Sequence, residues 1–211
     1  DADKSRGEIH LSIHYTDSED DIEVPDTYFP MRENGKCYLY QDAHHEEGEL
    51  PVITRSDGKT YAHGKCWMEL YDHLMAAESF IYITGWSVWT EVVLVRGEGV
   101  APITLGEIIK KKAGEGVKVC MLVWNEKTTK KGGKVELEGM MGTHDEETNI
   151  YFADMENVKC KLASRYHSHG KFTQFCFTHH QKSVIMDAPS HLPGRRRTIS
   201  YMGGLDLCDG R

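Results

Sequence analysis

The feature that most restricts how this chain can fold is a stretch of apolar residues at helical spacing, followed almost directly by a run typical of a buried strand. Within residues 66–78, apolar side chains recur at intervals of three and four, the spacing of one face of an amphipathic helix: Trp67, Leu70, Tyr71 and Leu74. The apolar run 80–86 follows after a very short turn and is typical of a buried strand. A helix and a strand connected so closely predict a layered α/β structure.

The same alternation repeats further along the chain. The capping box 104–107, Thr-Leu-Gly-Glu, predicts the start of a second helix, and the next strand is expected over 117–124. A third helix is predicted to begin near Thr143. Further strands are expected over 158–162, 175–187 and 198–205. We therefore expect an α/β domain with a layered sheet and flanking helices over residues 37–211.

The N-terminal part of the chain has a different composition. Residues 7–15 alternate apolar and polar side chains at period two, which predicts a half-buried strand, and residues 16–36 resemble an acidic linker. Residues 1–50 contain 14 acidic and 4 basic side chains, whereas the remainder contains 19 and 21. Because neither part has a large basic excess, no nucleic acid is expected as a partner. An acidic segment would approach anionic lipid only if a cation such as Ca2+ lay between them.

Several features bear on location. No run reaches the roughly 18 apolar residues that a membrane span needs, and the polar start does not resemble a signal peptide. Six cysteines without a Cys-x-x-Cys pair favour reduced thiols. We expect a cytoplasmic protein, at most peripherally associated with a membrane.

His180 and Lys182 are the strongest candidates for chemistry. Residues two apart on a strand face the same side, about 7 Å from each other. An imidazole can attack phosphorus and a neighbouring ammonium can hold phosphate oxygens, which favours phosphodiester chemistry. Asp187 is expected to orient and support this pair. Downstream, Gly203 and Gly204 would let the backbone approach a phosphate closely, and Asp206 could hydrogen-bond a catalytic imidazole from the second shell of the site.

The pattern His-x-Lys-x4-Asp at 180–187, followed by Gly203-Gly204, resembles the phospholipase D superfamily. Four further segments look like the plant enzymes of that family: 39–44, 82–88, 104–107 and 143–148. The resemblance implies an enzyme that hydrolyses phosphatidylcholine and related phospholipids at a membrane surface, releasing phosphatidic acid and the head group. It also implies transfer of the phosphatidyl group to a primary alcohol. In that family the histidine matched by His180 takes part in forming or resolving a phosphohistidine intermediate, with Lys182 on the phosphate and Asp187 orienting the site.

The resemblance also implies a C2 domain and calcium. Residues 1–15 look like a remnant of a C2-like β-sandwich that contains its final strand, and Asp42 matches a calcium-ligand position, so Ca2+ is an expected cofactor. Near Trp124 the plant pattern is usually Trp-Asp-Asp-Arg-Thr, whereas Asn125-Glu126-Lys127-Thr128 stands here.

The family's second His-x-Lys-x4-Asp motif is not found in these 211 residues. We therefore expect the fragment alone to be inactive and to require the missing C-terminal catalytic half, or a second copy in trans. Two alternatives stay open: a superfamily phosphodiesterase or nuclease that works as a dimer, and a non-catalytic calcium- and lipid-binding regulatory fragment. We interpret the acids 145–147 as charges that stabilise the first turn of a helix, and the arginines 195–197 as a solvated turn.

Overall fold

The computed structural model describes residues 8–14, 26–30, 32, 34–40, 49–96, 102–129, 139–164 and 177–209. The chain divides into two compact units, residues 1–39 and 40–211. In the first unit the described residues form neither helix nor strand. The strand predicted over 7–15 is not formed among residues 8–14, which are all exposed. A strand is stabilised by pairing, and the described part of this unit offers no second strand. The assignment to a C2-like domain stays a prediction, as do the boundaries at residues 15 and 36.

The second unit alternates helices and strands. The elements are α1 (Cys66–Ala76), β1 (Phe80–Gly85), α2 (Leu105–Gly114), β2 (Lys118–Trp124), α3 (Asp145–Tyr151), β3 (Val158–Ala163), β4 (Ser183–Pro189) and β5 (Arg196–Met202). The predicted amphipathic helix is α1, and the predicted capping box starts α2. Thr104 Oγ1 accepts from the Glu107 N–H while Glu107 accepts from the Thr104 N–H. None of the described helices is long and apolar enough to cross a membrane.

The five strands form one open sheet in the order β3-β2-β1-β4-β5. The strands β1, β2 and β3 are parallel, β4 runs antiparallel to β1, and β5 runs antiparallel to β4. The ends of β1, β2, β3 and β5 therefore meet the start of β4 at one edge, which we call the carboxyl edge. In open α/β sheets, ligands bind outside this edge.

One face of the sheet is packed against helices. The alternate residues Ile81 and Ile83 of β1, and Val119, Met121 and Val123 of β2, are buried in one apolar cluster with side chains of α1 and α2. The opposite face is more open among the described residues. The expected α/β class, a layered sheet with flanking helices, is confirmed.

The strand predicted over 175–187 is shorter than expected. The described residues 177–182 are not in a strand, and β4 runs from Ser183 to Pro189. Pairing explains the difference, because β1 ends at Gly85 and its last partner on β4 is Ser183. His180 and Lys182 consequently lie in the segment that enters β4, at the carboxyl edge.

Candidate active site at the carboxyl edge

Lys182 is a buried ammonium with all of its donors engaged. Its side chain is 6% exposed, and Nζ lies 3.0 Å from Asp206 Oδ2 in an ion pair. Nζ also lies 3.2 Å from His180 Nδ1 and 3.3 Å from the His180 carbonyl oxygen. An ammonium has three protons, so these three contacts account for them. Lys182 can therefore bind a phosphate oxygen only by releasing one of its present partners.

His180 contacts Lys182 through Nδ1 and is itself exposed. Since a lysine ammonium only donates, Nδ1 acts as the acceptor, and the neutral ring carries its proton on Nε2. The two residues predicted to act together are thus brought within hydrogen-bond distance.

Asp206 lies in the segment that follows β5. The backbone N–H of Trp86 donates to its Oδ1 at 2.9 Å, while Oδ2 faces Lys182. A parallel bridge between Val88 and Leu207, with the Trp89 N–H donating to the Leu207 carbonyl at 2.8 Å, holds this segment beside the end of β1. In the described residues the Asp206 carboxylate pairs with Lys182, not with the imidazole that we expected it to contact.

Two tryptophans form a wall beside His180. Trp86 follows β1 and Trp124 ends β2, and their rings stack with centroids 5.6 Å apart. The His180 ring is tilted against Trp86 with a centroid distance of 6.0 Å. The neighbouring His179 places Nδ1 3.3 Å from the Gly85 carbonyl oxygen, so its Nδ1 is the donor. The ends of β1 and β2 therefore supply this wall, and Trp86 is the member in contact with the imidazole.

Asp187 is not brought to this site. It lies near the far end of β4, and its carboxylate accepts hydrogen bonds from the N–H groups of Glu78, Ser79 and Phe80 at the start of β1. The Arg196 guanidinium binds the same carboxylate at 2.6 Å. Burial opposes ionisation of Asp187, but the three N–H groups and Arg196 outweigh it and lower its pKa to about 2. The described geometry gives Asp187 a structural role in joining α1, β1 and β5.

Comparison with known proteins points to one family. The family described as Phospholipase D matches residues 73–211. The chain belongs to the phospholipase D family. It is 45% identical over 195 residues to phospholipase D beta 1 of Arabidopsis thaliana, covering 89% of this chain and 18% of that protein. It is 42% identical over 227 aligned positions to phospholipase D alpha 1 of Oryza sativa subsp. japonica, covering 96% and 28%.

A third relative, phospholipase D alpha 1 of Zea mays, is 44% identical over 200 residues and covers 89% of this chain. The chain spans between 18% and 28% of the length of these three relatives. It holds one His-x-Lys-x4-Asp motif, that of His180, Lys182 and Asp187. Only the first two of these residues meet at the carboxyl edge of this phospholipase D domain.

The remaining predicted site residues stand as follows. Gly203 and Gly204 follow β5 at the carboxyl edge, and a Cβ built on either would meet nothing within 4 Å. No described neighbour therefore requires glycine there, and the expected approach of a phosphate stays a prediction. Asp42 lies outside the described residues.

Two contributions were missed by sequence reasoning. Arg196 was interpreted as part of a solvated turn, yet it binds Asp187 across the β4–β5 pair. The available signal in the sequence was a basic residue, Arg196, close to the strand predicted to follow the one that ends at Asp187. The acids 145–147 lie in the first turn of α3, as interpreted. In addition, Asp145 is 0% exposed and accepts the Glu126 N–H, a contact that was not predicted. The sequence carries no signal for that contact, because its donor is a backbone N–H, which every residue except proline has.

Proposed function

We propose that this chain supplies one half of the active site of a phospholipase D that acts on phosphatidylcholine and related glycerophospholipids. The observation that carries the proposal is the contact between His180 and Lys182, secured by buried Asp206, at the carboxyl edge of a phospholipase D domain. A site lined by an imidazole and an ammonium suits a phosphodiester, whose charge the ammonium neutralises in the transition state.

The proposed reaction has two steps, the formation of a phosphohistidine and its breakdown. A motif histidine nitrogen attacks phosphorus, a P–N bond forms, and the P–O bond to the head group breaks as that oxygen takes a proton. Water then attacks the phosphohistidine, which gives phosphatidic acid and restores the imidazole. A primary alcohol in place of water gives a phosphatidyl alcohol. Lys182 holds non-bridging oxygens in both steps.

A single half-site is not sufficient for these steps. With Lys182 donating to Nδ1, the Nε2 of His180 carries the ring proton and cannot attack phosphorus in that state. A second His-Lys pair, supplied by the C-terminal half or by another copy of this chain, would provide the complementary acid or base and hold the phosphate from the other side. The isolated chain is therefore expected to be inactive.

Calcium, a phospholipid membrane surface and a cytoplasmic location belong to the same proposal. Their support is the resemblance of the chain to plant phospholipases D, in which Asp42 matches a calcium ligand. Bridging by Ca2+ would also let the acidic residues 1–50 approach anionic lipid.

Transfer to an alcohol is the most specific test of this function. The chain would be mixed with a separately expressed C-terminal half of a phospholipase D relative, and given phosphatidylcholine micelles with 1-butanol, with and without Ca2+. The proposal expects phosphatidylbutanol and free choline from the mixture. The same products from the chain alone would mean that a second copy of the chain supplies the other His-Lys pair. Cleavage of DNA or of bis-p-nitrophenyl phosphate without formation of phosphatidylbutanol would instead favour the nuclease alternative. Ca2+-dependent lipid binding without turnover would favour the regulatory alternative.

A further inference from the structure

Trp86 contacts both the imidazole and the carboxylate of the candidate active site. It directly follows β1, and its backbone N–H donates to Asp206 Oδ1 at 2.9 Å. The ring of the same residue lies against the His180 ring, with centroids 6.0 Å apart and an angle of 43° between the planes. This separation is within the range of aromatic contacts. One residue therefore links His180 to the acid that is paired with Lys182.

The Trp86 ring is itself held in place. Gly85 and Val123 are partners in the parallel pair of β1 and β2, so Trp86 and Trp124, the next residue of each segment, lie side by side. Their rings stack at 5.6 Å with an angle of 11°, and the two residues are only 5% and 7% exposed. So little exposed surface leaves no room for a lipid head group on the Trp86 ring. The contact with His180 is therefore the part of its surroundings that bears on chemistry.

His180 needs such a support, because its own segment gives it little. It is exposed and lies before β4, outside the strand. Its contact with Lys182 engages Nδ1, but the ring torsion of a histidine is broad and roughly two-fold. Turning the ring over would put a carbon where Nδ1 now meets Lys182. Reacting groups are held in productive geometry by neighbours that lock their rotamers through packing.

We propose that Trp86 is a positioning residue, whose ring keeps the His180 imidazole turned with Nδ1 towards Lys182 and Nε2 towards the phosphodiester. In this role Trp86 acts only through His180 and touches no reacting atom. The consequence for turnover rests on the proposed function, whereas the orientation of the imidazole is a property of this chain alone.

Trp86→Leu and Trp86→Phe separate positioning from packing. Both replace the indole by a smaller apolar side chain, and both keep the backbone N–H that binds Asp206. Only Phe keeps a flat ring beside His180. A tryptophan that merely fills the core would make both variants less stable and leave the imidazole unchanged in both. Thermal unfolding of each variant would ensure that spectra and rates are compared between folded chains.

NMR of the chain labelled with ¹⁵N and ¹³C at histidine tests the orientation directly. The His180 signals would be assigned with His180→Ala, at alkaline pH where free imidazoles are neutral. We expect a single tautomer with the proton on Nε2 in the unsubstituted chain and in Trp86→Phe. In Trp86→Leu we expect both tautomers and a loss of the ring-current shift of the imidazole.

Trp89→Leu is the matched control for these spectra. Trp89 also stacks on a histidine, His144, with centroids 4.8 Å apart. The same substitution three residues away should therefore shift the His144 signals and leave those of His180 in place. His180 signals that are unchanged in Trp86→Leu, or that change equally in Trp89→Leu, would overturn the proposal.

Kinetics of the complemented enzyme test the consequence for turnover. The chain would be mixed with the C-terminal half of a phospholipase D relative and given phosphatidylcholine. We expect Trp86→Leu to lower kcat about a hundredfold, because a small misplacement of a reacting group costs that much, with KM little changed. Trp86→Phe should keep most of the rate.

Full kcat in Trp86→Leu, or equal losses of kcat in the Leu and Phe variants, would contradict the positioning role. A mixture that gives no turnover with the unsubstituted chain would count against the proposed function, and the NMR spectra would still decide whether Trp86 orients His180.

Discussion

Lys182 and Asp206 form a buried ion pair whose two partners depend on each other. Replacing Lys182 by Met leaves the Asp206 carboxylate buried without its countercharge, so we expect a loss of about 3 to 5 kcal/mol in the free energy of unfolding. The double variant Lys182→Met/Asp206→Asn should lose much less than the two single variants together, because it removes both charges. Urea unfolding measures all three. The exposed Lys161→Met is the control, and additive losses would show that the pair is not coupled.

Asp187 makes a pH-dependent contribution to stability. Its pKa is about 2 in the folded chain, below the ordinary value of about 4. The folded state therefore binds fewer protons there, and the stabilisation is present above pH ~4 and lost as the pH falls through ~2. We expect Asp187→Asn to lower the free energy of unfolding by about 3 kcal/mol at pH 6, and the difference from the unsubstituted chain to shrink towards pH 2. A difference that stays constant with pH would be the contrary result.

The three residues of the predicted motif lie in two different places in the structure. His180 and Lys182 are two residues apart in sequence, so local geometry was enough to predict that they lie together. Asp187 could not be placed in the same way, because its position depends on which strands pair with β4. The partners of Asp187 are the N–H groups that begin β1 and a guanidinium of β5, which are distant in sequence.

Among the elements, α2 was the most completely predicted because its start is fixed by local hydrogen bonds. The capping box of Thr104 and Glu107 is formed in the structure as the sequence indicated. Replacing Thr104 by Ala removes the acceptor for the Glu107 N–H and should cost about 1 kcal/mol of stability. Thr104→Ser retains the hydroxyl and should stay within about 0.5 kcal/mol. Thermal unfolding of both compares them, and equal losses would argue against a capping effect.

The strand β4 was predicted less well because its limits are set by its partners. Apolar alternation suggested a strand from residue 175, but β1 provides partners only as far as Ser183. The earlier residues include the segment that carries His180. The contact between Glu126 and Asp145 was likewise not predicted, since it joins the segment after β2 to the first turn of α3.

At the scale of the whole molecule, the layered α/β class followed from the order of helices and strands, whereas the sheet order β3-β2-β1-β4-β5 did not. That order depends on pairings across the sequence, and it decides which strand ends share an edge. The carboxyl edge gathers His180, Lys182 and Asp206 in one place. Under the proposed function, these residues would hold a phosphodiester from one side and leave the opposite side for a second half.

The most direct test of this account compares two adjacent histidines in the complemented enzyme. The chain would be mixed with the C-terminal half of a phospholipase D relative, and choline release from phosphatidylcholine would be measured for His180→Ala and His179→Ala. We expect His180→Ala to abolish turnover without loss of folding, and His179→Ala, which removes only a hydrogen bond to Gly85, to retain measurable activity. Full activity in His180→Ala would contradict the assignment of His180 to the active site of this phospholipase D half-domain.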